Sequence, residues 1–374
     1  MMKVTILGAG NIGLASAGWL AHAGHTPVLW SAVADELLAL QDAGALTCTG
    51  ILAGQYRLAV TPDIAQAVAD APVVLLCVPG YGHRAVMDAL APHLQPGQSV
   101  IINSACSLSA LYLAEQLATR GLTLPIITWG TTLLTARRQP DGHSVAIMAA
   151  RQFVDVATLP ITHNAQSIAL CAGLFGARFR AQSDVLATSL ININPIAHLG
   201  LALCNVTRME RHESWPQYHY LTDGVARLIG ALEQERQQLA AAFGLSLHSI
   251  EEHFRQSFDL PQQELADIAA ELHRRRGGPA GPQTLDTRFI LEDTPYGLVF
   301  AEAIARYAGL PLPLHTAAIH VASAIWGAGS ARAKQHPART GAGYPAAGRL
   351  PATHPPGLRL ICATPRPVAG SAVG

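Results

Sequence analysis

The chain has 374 residues, of which 50% are apolar and 13% charged, and its acidic and basic side chains balance to a formal net charge of zero. This length suits two domains with sizeable cores. The low charge excludes a disordered chain or a protein that coats nucleic acid, and no uninterrupted apolar stretch is long enough to predict a membrane span, so we expect neither nucleic acid nor membrane as a partner.

A strand-like segment at 3–8 runs directly into a glycine-rich loop. An Ala/Leu-rich helical segment at 11–23 and a second strand at 26–30 follow. In this context the glycines allow a tight turn and a close backbone approach, while the helix N-terminus receives a pyrophosphate. We therefore predict a dinucleotide site, in preference to a glycine turn without a ligand, at Gly8, Gly10, Asn11, Ile12 and Gly13.

The end of the second strand is the usual place for an acid that holds the adenosine ribose. Ser31 occupies it, and the nearest acids, Asp35 and Glu36, belong to the following helix. No Lys or Arg lies between Lys3 and Arg57, so a ribose phosphate finds no local cation unless Arg57 folds back. Both simple signatures are missing, and NAD is favoured over NADP.

Strand-like and helical segments alternate along the first half of the chain. The strands are predicted at 3–8, 26–30, 73–78, 99–103 and 124–128, with further extended pieces at 143–149 and 153–159. This alternation predicts an α/β fold with a doubly wound parallel sheet, a Rossmann domain over residues 1–182. Ligands bind at the carboxyl ends of such strands, which adds Val78 and Pro79 to the cofactor site.

Beyond residue 183 the pattern changes to long helical stretches. They are predicted at 184–211, 221–243, 247–255, 262–275 and 296–308, and they indicate an all-α second domain over residues 183–330. Such a large apolar helical domain makes a homodimer plausible. Residues 331–374 hold seven prolines, six glycines, six basic residues and no acid, which predicts a disordered basic tail.

An amide and an imidazole lie four residues apart within this domain, in Asn194-Pro195-Ile196-Ala197-His198. On a helix the two side chains share one face. Pro195 either begins that helix or kinks it. Taken alone, His198 is either a core histidine or an acid/base group.

A second group of polar residues follows at 286–298. Asp293-Thr294-Pro295 predicts a helix start with a capping acid and a proline in its first turn. Arg288 either pairs with Glu292 or binds a substrate carboxylate through its planar fork of donors.

Together these motifs resemble the octopine/nopaline (opine) dehydrogenase family over residues 2–330. They come in the family's order: the GAGNIG loop, Val78-Pro79, Asn194-Pro195-x-x-His198, the segment 225–236, and Arg288-Phe289-x-x-Glu292-Asp293-x-Pro295-Tyr296-Gly297-Leu298. Each motif alone is unspecific, but the combination is specific.

The resemblance implies an NAD(P)H-dependent oxidoreductase that reduces the imine formed between an α-keto acid and the amino group of an amino acid. It implies that His198 is the acid/base group, that Asn194 helps to position substrate or nicotinamide, and that Arg288 holds a carboxylate. Imidazole titrates nearest neutrality, and a well-placed acid/base group is typically worth about 10²–10⁴ in rate.

The sequence departs from the family at Trp129, where many relatives have a nearby acid that could hold a substrate amino group. Two other functions stay open: a 2-hydroxyacid or ketopantoate-like dehydrogenase, and a non-catalytic dinucleotide-binding sensor. The first needs a catalytic lysine, and no Lys lies between Lys3 and Lys334. No cluster has metal-ligand spacing, so we expect no metal.

Six scattered cysteines without Cys-x-x-Cys spacing indicate reduced core thiols. The N-terminus becomes the glycine loop, which is inconsistent with a signal peptide. We expect a cytoplasmic location.

Overall fold

A computed structural model of the chain describes residues 1–326. The basic tail predicted at 331–374 lies outside the described residues. Residues 1–181 carry the strands β1 (Lys3–Leu7), β2 (Thr26–Trp30), β3 (Leu46–Gly50), β4 (Gly54–Tyr56), β5 (Ala59–Thr61), β6 (Val73–Leu76), β7 (Ser99–Asn103), β8 (Ile126–Trp129), β9 (Leu134–Arg138), β10 (Ser144–Ala150), β11 (Val154–Leu159) and β12 (Phe179–Ala181).

Six helices connect these strands: α1 (Asn11–His22), α2 (Asp35–Ala43), α3 (Ile64–Val68), α4 (Gly80–Leu90), α5 (Ser109–Ala118) and α6 (Asn164–Phe175). Short 3₁₀ turns lie at Ala91–His93 and Ile161–His163.

The first sheet has eight strands in the order β12-β11-β8-β7-β6-β1-β2-β5. β1 lies between β2 and β6 and is parallel to both, while β11 pairs antiparallel with β8. Apolar side chains on both faces of the central strands are buried, including Val4, Ile6, Val74 and Leu75. This explains why these strands are continuous apolar runs. The predicted doubly wound sheet is confirmed.

A second sheet, of order β4-β3-β10-β9, was not predicted. It packs against α1 so closely that a Cβ on Gly18 would lie 2.3 Å from Cys48 Sγ. The extended piece expected at 143–149 therefore belongs to this sheet and not to the main one. β3 and β4 are short and partly polar, and β3 pairs with β10 from far along the chain, so no local pattern marks the sheet.

The second half of the described chain is helical. Its helices are α7 (Val185–Leu190), α8 (Asn194–Cys204), α9 (Val206–Glu210), α10 (Asp223–Ala242), α11 (Ile250–Phe258), α12 (Leu265–Arg276), α13 (Arg288–Leu291), α14 (Val299–Tyr307) and α15 (Pro313–Trp326). A π-helical turn, Thr294–Leu298, precedes α14. Leu199 of α8 packs with Ile229 and Leu232 of α10 at the centre of this domain.

The single helical stretch expected at 184–211 is wrong, because α7, α8 and α9 are separate helices. Pro195 lies in the first turn of α8. It has no N–H to continue a helix from α7, and its ring would crowd the preceding turn, so it begins α8 and does not kink it. At the other end the Asn205 side chain donates to the carbonyl of Leu201 (3.0 Å) and ends α8.

By length and composition alone, the 20-residue stretch Val185–Cys204, which contains α7 and α8, could cross a membrane, with a mean hydropathy of 1.4 in its most apolar window. Within the protein 72% of this stretch is buried, as in a core helix. Its apolar character therefore matches its place in the helical core.

The five cysteines among residues 1–326 are free. Cys48, Cys77 and Cys171 are buried and Cys106 is half-buried, as expected of core thiols. Cys204 is exposed at the end of α8, so that expectation was wrong for this residue.

Candidate active site

The glycine loop turns tightly between β1 and α1. Gly8 has a φ of +117°, and a Cβ on it would lie 2.9 Å from the carbonyl oxygen of Cys77. A Cβ on Gly13 would lie 1.8 Å from the carbonyl oxygen of Gly8. Both positions therefore require glycine for the packing of the chain itself.

Gly10 differs from the other two glycines. A Cβ on Gly10 would have no protein atom within 4 Å, and its φ of −78° is open to any residue. No side chain caps the N-terminus of α1. An uncapped helix N-terminus beside open space at a glycine is the arrangement that binds a pyrophosphate, so the residues present fit a dinucleotide.

The side chains of Asn11 and Ile12, the next two residues of the glycine motif, contact other parts of the protein. Asn11 begins α1, and its Oδ1 accepts a hydrogen bond from the Arg138 N–H of β9 (2.8 Å). Ile12 is half-buried and packs against the core. The side chains of both predicted cofactor residues thus have structural contacts, which leaves their backbone as the part that a ligand could meet.

Ser31 follows β2 and is 4% exposed. Its hydroxyl donates to Glu36 Oε2 (2.6 Å) and accepts from the Val33 N–H (3.1 Å). The cation near this place is Arg138, whose Nη2 donates to the Glu36 carbonyl (3.1 Å). A strand of the second sheet thus brings a cation to this place that the sequence did not indicate.

Val78 and Pro79 lie between β6 and α4, next to the glycine loop. The buried His83 donates through Nε2 to the Val78 carbonyl (3.2 Å) and has Nδ1 3.5 Å from Cys106 Sγ. Burial lowers the pKa of His83 to about 4, which keeps the ring neutral at neutral pH. The segment before α4 is thereby fixed in place.

His198 lies on α8 and forms a buried pair with Asp293. Its Nδ1 is 2.7 Å from Asp293 Oδ2, and the two side chains are 17% and 4% exposed. An ionised carboxylate can only accept, so Nδ1 carries a proton and Nε2 is left for a reacting group. Burial by itself would raise the pKa of Asp293, but the charge of His198 and its hydrogen bond outweigh burial and lower it.

Phe289 fixes the plane of the His198 ring. The two rings are stacked with centroids 3.7 Å apart and an angle of 3° between their planes. Phe289 is itself buried in the helical core. The imidazole is thus held along one edge by a carboxylate and over one face by an aromatic ring.

Arg288 faces two carboxylates. Its Nε is 3.6 Å from Glu292 Oε2, and its Nη2 is 3.5 Å from Asp293 Oδ1. The pairing with Glu292 is therefore present. The side chain is nevertheless 55% exposed, so it retains donors that can reach a carboxylate from outside.

Glu292 links the side chains around His198 to the start of α4 in the first domain. Its Oε1 accepts from the Gly80 N–H (3.1 Å), 212 residues earlier in the chain. Ser107 makes a second link by donating to the Tyr296 carbonyl (3.1 Å). Burial raises the pKa of Glu292, and the Asp293 charge adds to that effect against the opposing charge of Arg288.

Asn194 lies one turn before His198 on α8, with its side chain half-buried. Its N–H donates to Asn192 Oδ1 (3.0 Å). The start of α8 also meets the π-helical turn, because a Cβ on Gly297 would lie 2.3 Å from both Cβ and Cγ of Pro195. This contact keeps the segment that carries Asp293 against the helix that carries His198.

We expect Gly297→Ala to lower the free energy of unfolding by about 1–3 kcal/mol, because the added methyl group meets a rigid proline ring. The measurement is the midpoint of urea unfolding. The matched control is Gly230→Ala within α10, where a Cβ meets no atom within 4 Å and alanine favours the helix. Equal midpoints for both variants would contradict the argument.

The sequence did not identify three parts of this site. Asp293 was expected to cap a helix, but its side chain makes no capping bond and holds His198 instead. Phe289 and the link from Glu292 to Gly80 were not predicted. The sequence signal that could have identified them is that Phe289, Glu292 and Asp293 belong to the same motif as Arg288.

Trp129 does not reach this site. It is 0% exposed and packs edge-on against Phe175, with ring centroids 5.3 Å apart. The Trp129 side chain is thus a core residue, and what the missing acid means for a substrate amino group stays a prediction. Trp215, in the loop between α9 and α10, is also buried, and its Nε1 donates to the Pro282 carbonyl (3.0 Å).

Among residues 1–326 there is no group of three or more His, Cys, Asp or Glu side chains that could hold a metal ion.

Comparison with known proteins gives consistent matches over both halves of the chain. A family model described as NAD/NADP octopine/nopaline dehydrogenase, alpha-helical domain, matches residues 181–326. A second family model, described as NAD-dependent glycerol-3-phosphate dehydrogenase N-terminus, matches residues 3–107. An opine dehydrogenase of Arthrobacter sp. (strain 1C) is 31% identical over 329 residues, which cover 86% of this chain and 89% of the relative.

Solved structures share the fold. Octopine dehydrogenase in complex with NADH and agmatine superposes with a TM-score of 0.74 at 19% identity, covering 87% of this chain and 90% of that one. NADP⁺-bound yersinopine dehydrogenase has a TM-score of 0.70 at 17% identity, covering 87% and 91%.

Proposed function

Since the chain belongs to the octopine/nopaline (opine) dehydrogenase family, we propose that it catalyses the NAD(P)H-dependent reductive condensation of an α-keto acid with an amino acid. The observation that carries this proposal is the pair of His198 and Asp293. The neighbouring Glu292 joins this pair to the Gly80 N–H at the start of α4, directly after the predicted cofactor residues Val78 and Pro79. This geometry supports a role for His198 in proton transfer beside the expected nicotinamide end of the dinucleotide site.

The reaction joins two substrates and then reduces the bond between them. The amino group adds to the keto carbon and water leaves, which gives an imine. A reduced nicotinamide, when bound, supplies a hydride to the imine carbon, and one proton on nitrogen completes the secondary amine. His198 Nε2 exchanges protons with the carbinolamine and the amine, while Asp293 holds Nδ1 and balances the imidazolium charge.

The other predicted residues position these groups. Arg288 binds a substrate carboxylate with its exposed donors, while Glu292 and Asp293 limit its rotation. Asn194, one turn from His198, orients substrate or nicotinamide. Holding two substrates against one cofactor in fixed geometry is a large part of the expected rate enhancement.

Residues 1–182 form the dinucleotide domain of this proposal, and 183–330 form the substrate domain. Gly8, Gly10, Asn11, Ile12 and Gly13 line the pyrophosphate, with Ser31 at the adenosine end and Val78 and Pro79 toward the nicotinamide. We also propose a cytoplasmic homodimer, which the large apolar helical domain supports; molecular mass in solution tests the dimer.

We expect Gly10→Ala to weaken NADH binding roughly tenfold or more without lowering the unfolding midpoint, because the methyl group meets no protein atom yet enters the space for the pyrophosphate. Fluorescence titration with NADH and urea unfolding measure the two effects. Unchanged affinity would place the dinucleotide elsewhere.

The turnover experiment follows oxidation of NADH and NADPH with pyruvate, with and without a panel of amino acids and amines. Oxidation that requires the amine supports the proposal. Oxidation with the keto acid alone indicates a 2-hydroxyacid or ketopantoate-like dehydrogenase. Cofactor binding without oxidation by any pair indicates a dinucleotide-binding sensor.

A further inference from the structure

The residue at the ribose position does not have a free side chain. Ser31 is 4% exposed, and its hydroxyl both donates to Glu36 and accepts from the Val33 N–H. Its single O–H donor is committed to Glu36, so the hydroxyl can offer a ribose only its remaining lone pair, from a side chain that is almost wholly buried. A stronger acceptor for a ribose hydroxyl lies one contact further out.

That contact is the Glu36 carboxylate. Glu36 lies in the first turn of α2, five residues after Ser31, and the chain folds back so that its Oε2 is 2.6 Å from the Ser31 hydroxyl. Within residues 1–326, Oε1 of Glu36 has no hydrogen-bond partner. A carboxylate with one tethered and one available oxygen thus stands where a strand-end acid would hold a ribose hydroxyl.

Arg138 is the cation that could instead attract a ribose phosphate. Its guanidinium donates to three backbone carbonyls: Ala9 (3.3 Å), Glu36 (3.1 Å) and Gly142 (3.0 Å). These bonds tie the glycine loop, the start of α2 and the turn after β9 together. Arg138 would have to break them to bind a phosphate, so it is a structural residue at this site.

We propose that Glu36, held by Ser31, accepts the hydroxyls of the adenosine ribose and makes the site selective for NAD(H) over NADP(H). This inference rests on the proposed function for the presence of a dinucleotide. A ribose 2′-phosphate would meet the carboxylate as a like charge in a partly buried place, whereas a 2′-hydroxyl would donate to Oε1. Ser31 is the positioning residue.

The test compares dissociation constants of NADH and NADPH by fluorescence titration, which needs no turnover. We expect the wild type to prefer NADH by at least about tenfold, and Glu36→Gln to reduce that preference about tenfold or more by weakening NADH and strengthening NADPH. Asp35→Asn is the matched control, since Asp35 is an exposed acid in the same turn that does not contact Ser31. It should keep the wild-type ratio.

Ser31→Ala provides a second variant, which leaves the Glu36 charge but removes its tether; we expect a smaller shift in the same direction. Equal or tighter NADPH binding by the wild type, an unchanged ratio in Glu36→Gln, or an equal shift in Asp35→Asn would each overturn the inference. Amine-dependent turnover with a KM for NADPH equal to or lower than that for NADH would overturn the inference while leaving the proposed function intact. If the wild type binds NADH selectively, Glu36→Gln loses that selectivity and no amine is turned over, the inference about Glu36 holds and the proposed function fails.

Discussion

Replacing His198 with glutamine is expected to lower kcat/KM for amine-dependent NADH oxidation by about 10²–10⁴-fold. Glutamine can still donate to Asp293 but cannot exchange a proton near neutrality. The pH dependence of kcat/KM should flatten in the variant, because glutamine has no group that gains or loses a proton in this reaction.

Two controls separate this loss from misfolding. NADH affinity should stay close to the wild-type value, because the proposed pyrophosphate and ribose contacts lie on the other domain. The unfolding midpoint should fall little, because a donor to the buried Asp293 carboxylate remains. A variant that binds NADH normally and retains full turnover would remove His198 from the chemistry.

The second large effect is expected for Asp293→Asn, with kcat lower by roughly 10²–10⁴-fold. The amide is almost isosteric with the carboxylate, so Phe289 and α8 keep their packing. An amide, however, can present either an acceptor or a donor to Nδ1, and it carries no charge to stabilise an imidazolium. Steady-state kinetics at saturating NADH measure the change.

The same substitution has a pH-dependent effect on stability. The pKa of Asp293 is lowered in the folded protein, so its ionised form stabilises the fold above the ordinary aspartate value of about 3.9. That stabilisation is lost as the pH falls through the lower pKa of the folded state. The wild type should therefore unfold at higher urea than the variant at pH 7, and the two midpoints should converge in acid.

Asp267→Asn serves as the control for loss of one negative charge, because Asp267 is exposed in the first turn of α12. It should leave both kcat and the pH profile of unfolding unchanged. If Asp293→Asn had wild-type kcat, the carboxylate would serve only to fill a place in the core.

The parts of the fold that the sequence predicted are those specified by local patterns. Parallel strands buried on both faces are continuous apolar runs, and β1, β2, β6, β7 and β8 lie at or within two residues of their predicted starts. The second sheet has no such pattern, because its strands are short and β3 pairs with β10 from far along the chain.

The site divides in the same way. The shared face of Asn194 and His198 follows from helical spacing, whereas the pairing of His198 with Asp293 joins residues 95 positions apart. Asp293-Thr294-Pro295 has the composition of a helix cap, and the tertiary contact with the imidazole overrides that local preference. The contact between Glu36 and Ser31 is likewise tertiary. The sequence places Glu36 in a helix, and no local pattern indicates that the chain folds back to bring its carboxylate to the Ser31 hydroxyl.

The bond between Gly80 and Glu292 constrains how the two domains can be recombined. It ties the start of α4 to the residue next to Asp293, so one backbone N–H helps to align the nucleotide half with the half that carries His198. A Cβ at Gly80 would lie 2.8 Å from Cys106 Sγ and 3.3 Å from Tyr296 Cγ. A chimaera that grafts another nucleotide domain onto this helical domain thus has to conserve a glycine there, or the grafted half will dock out of alignment.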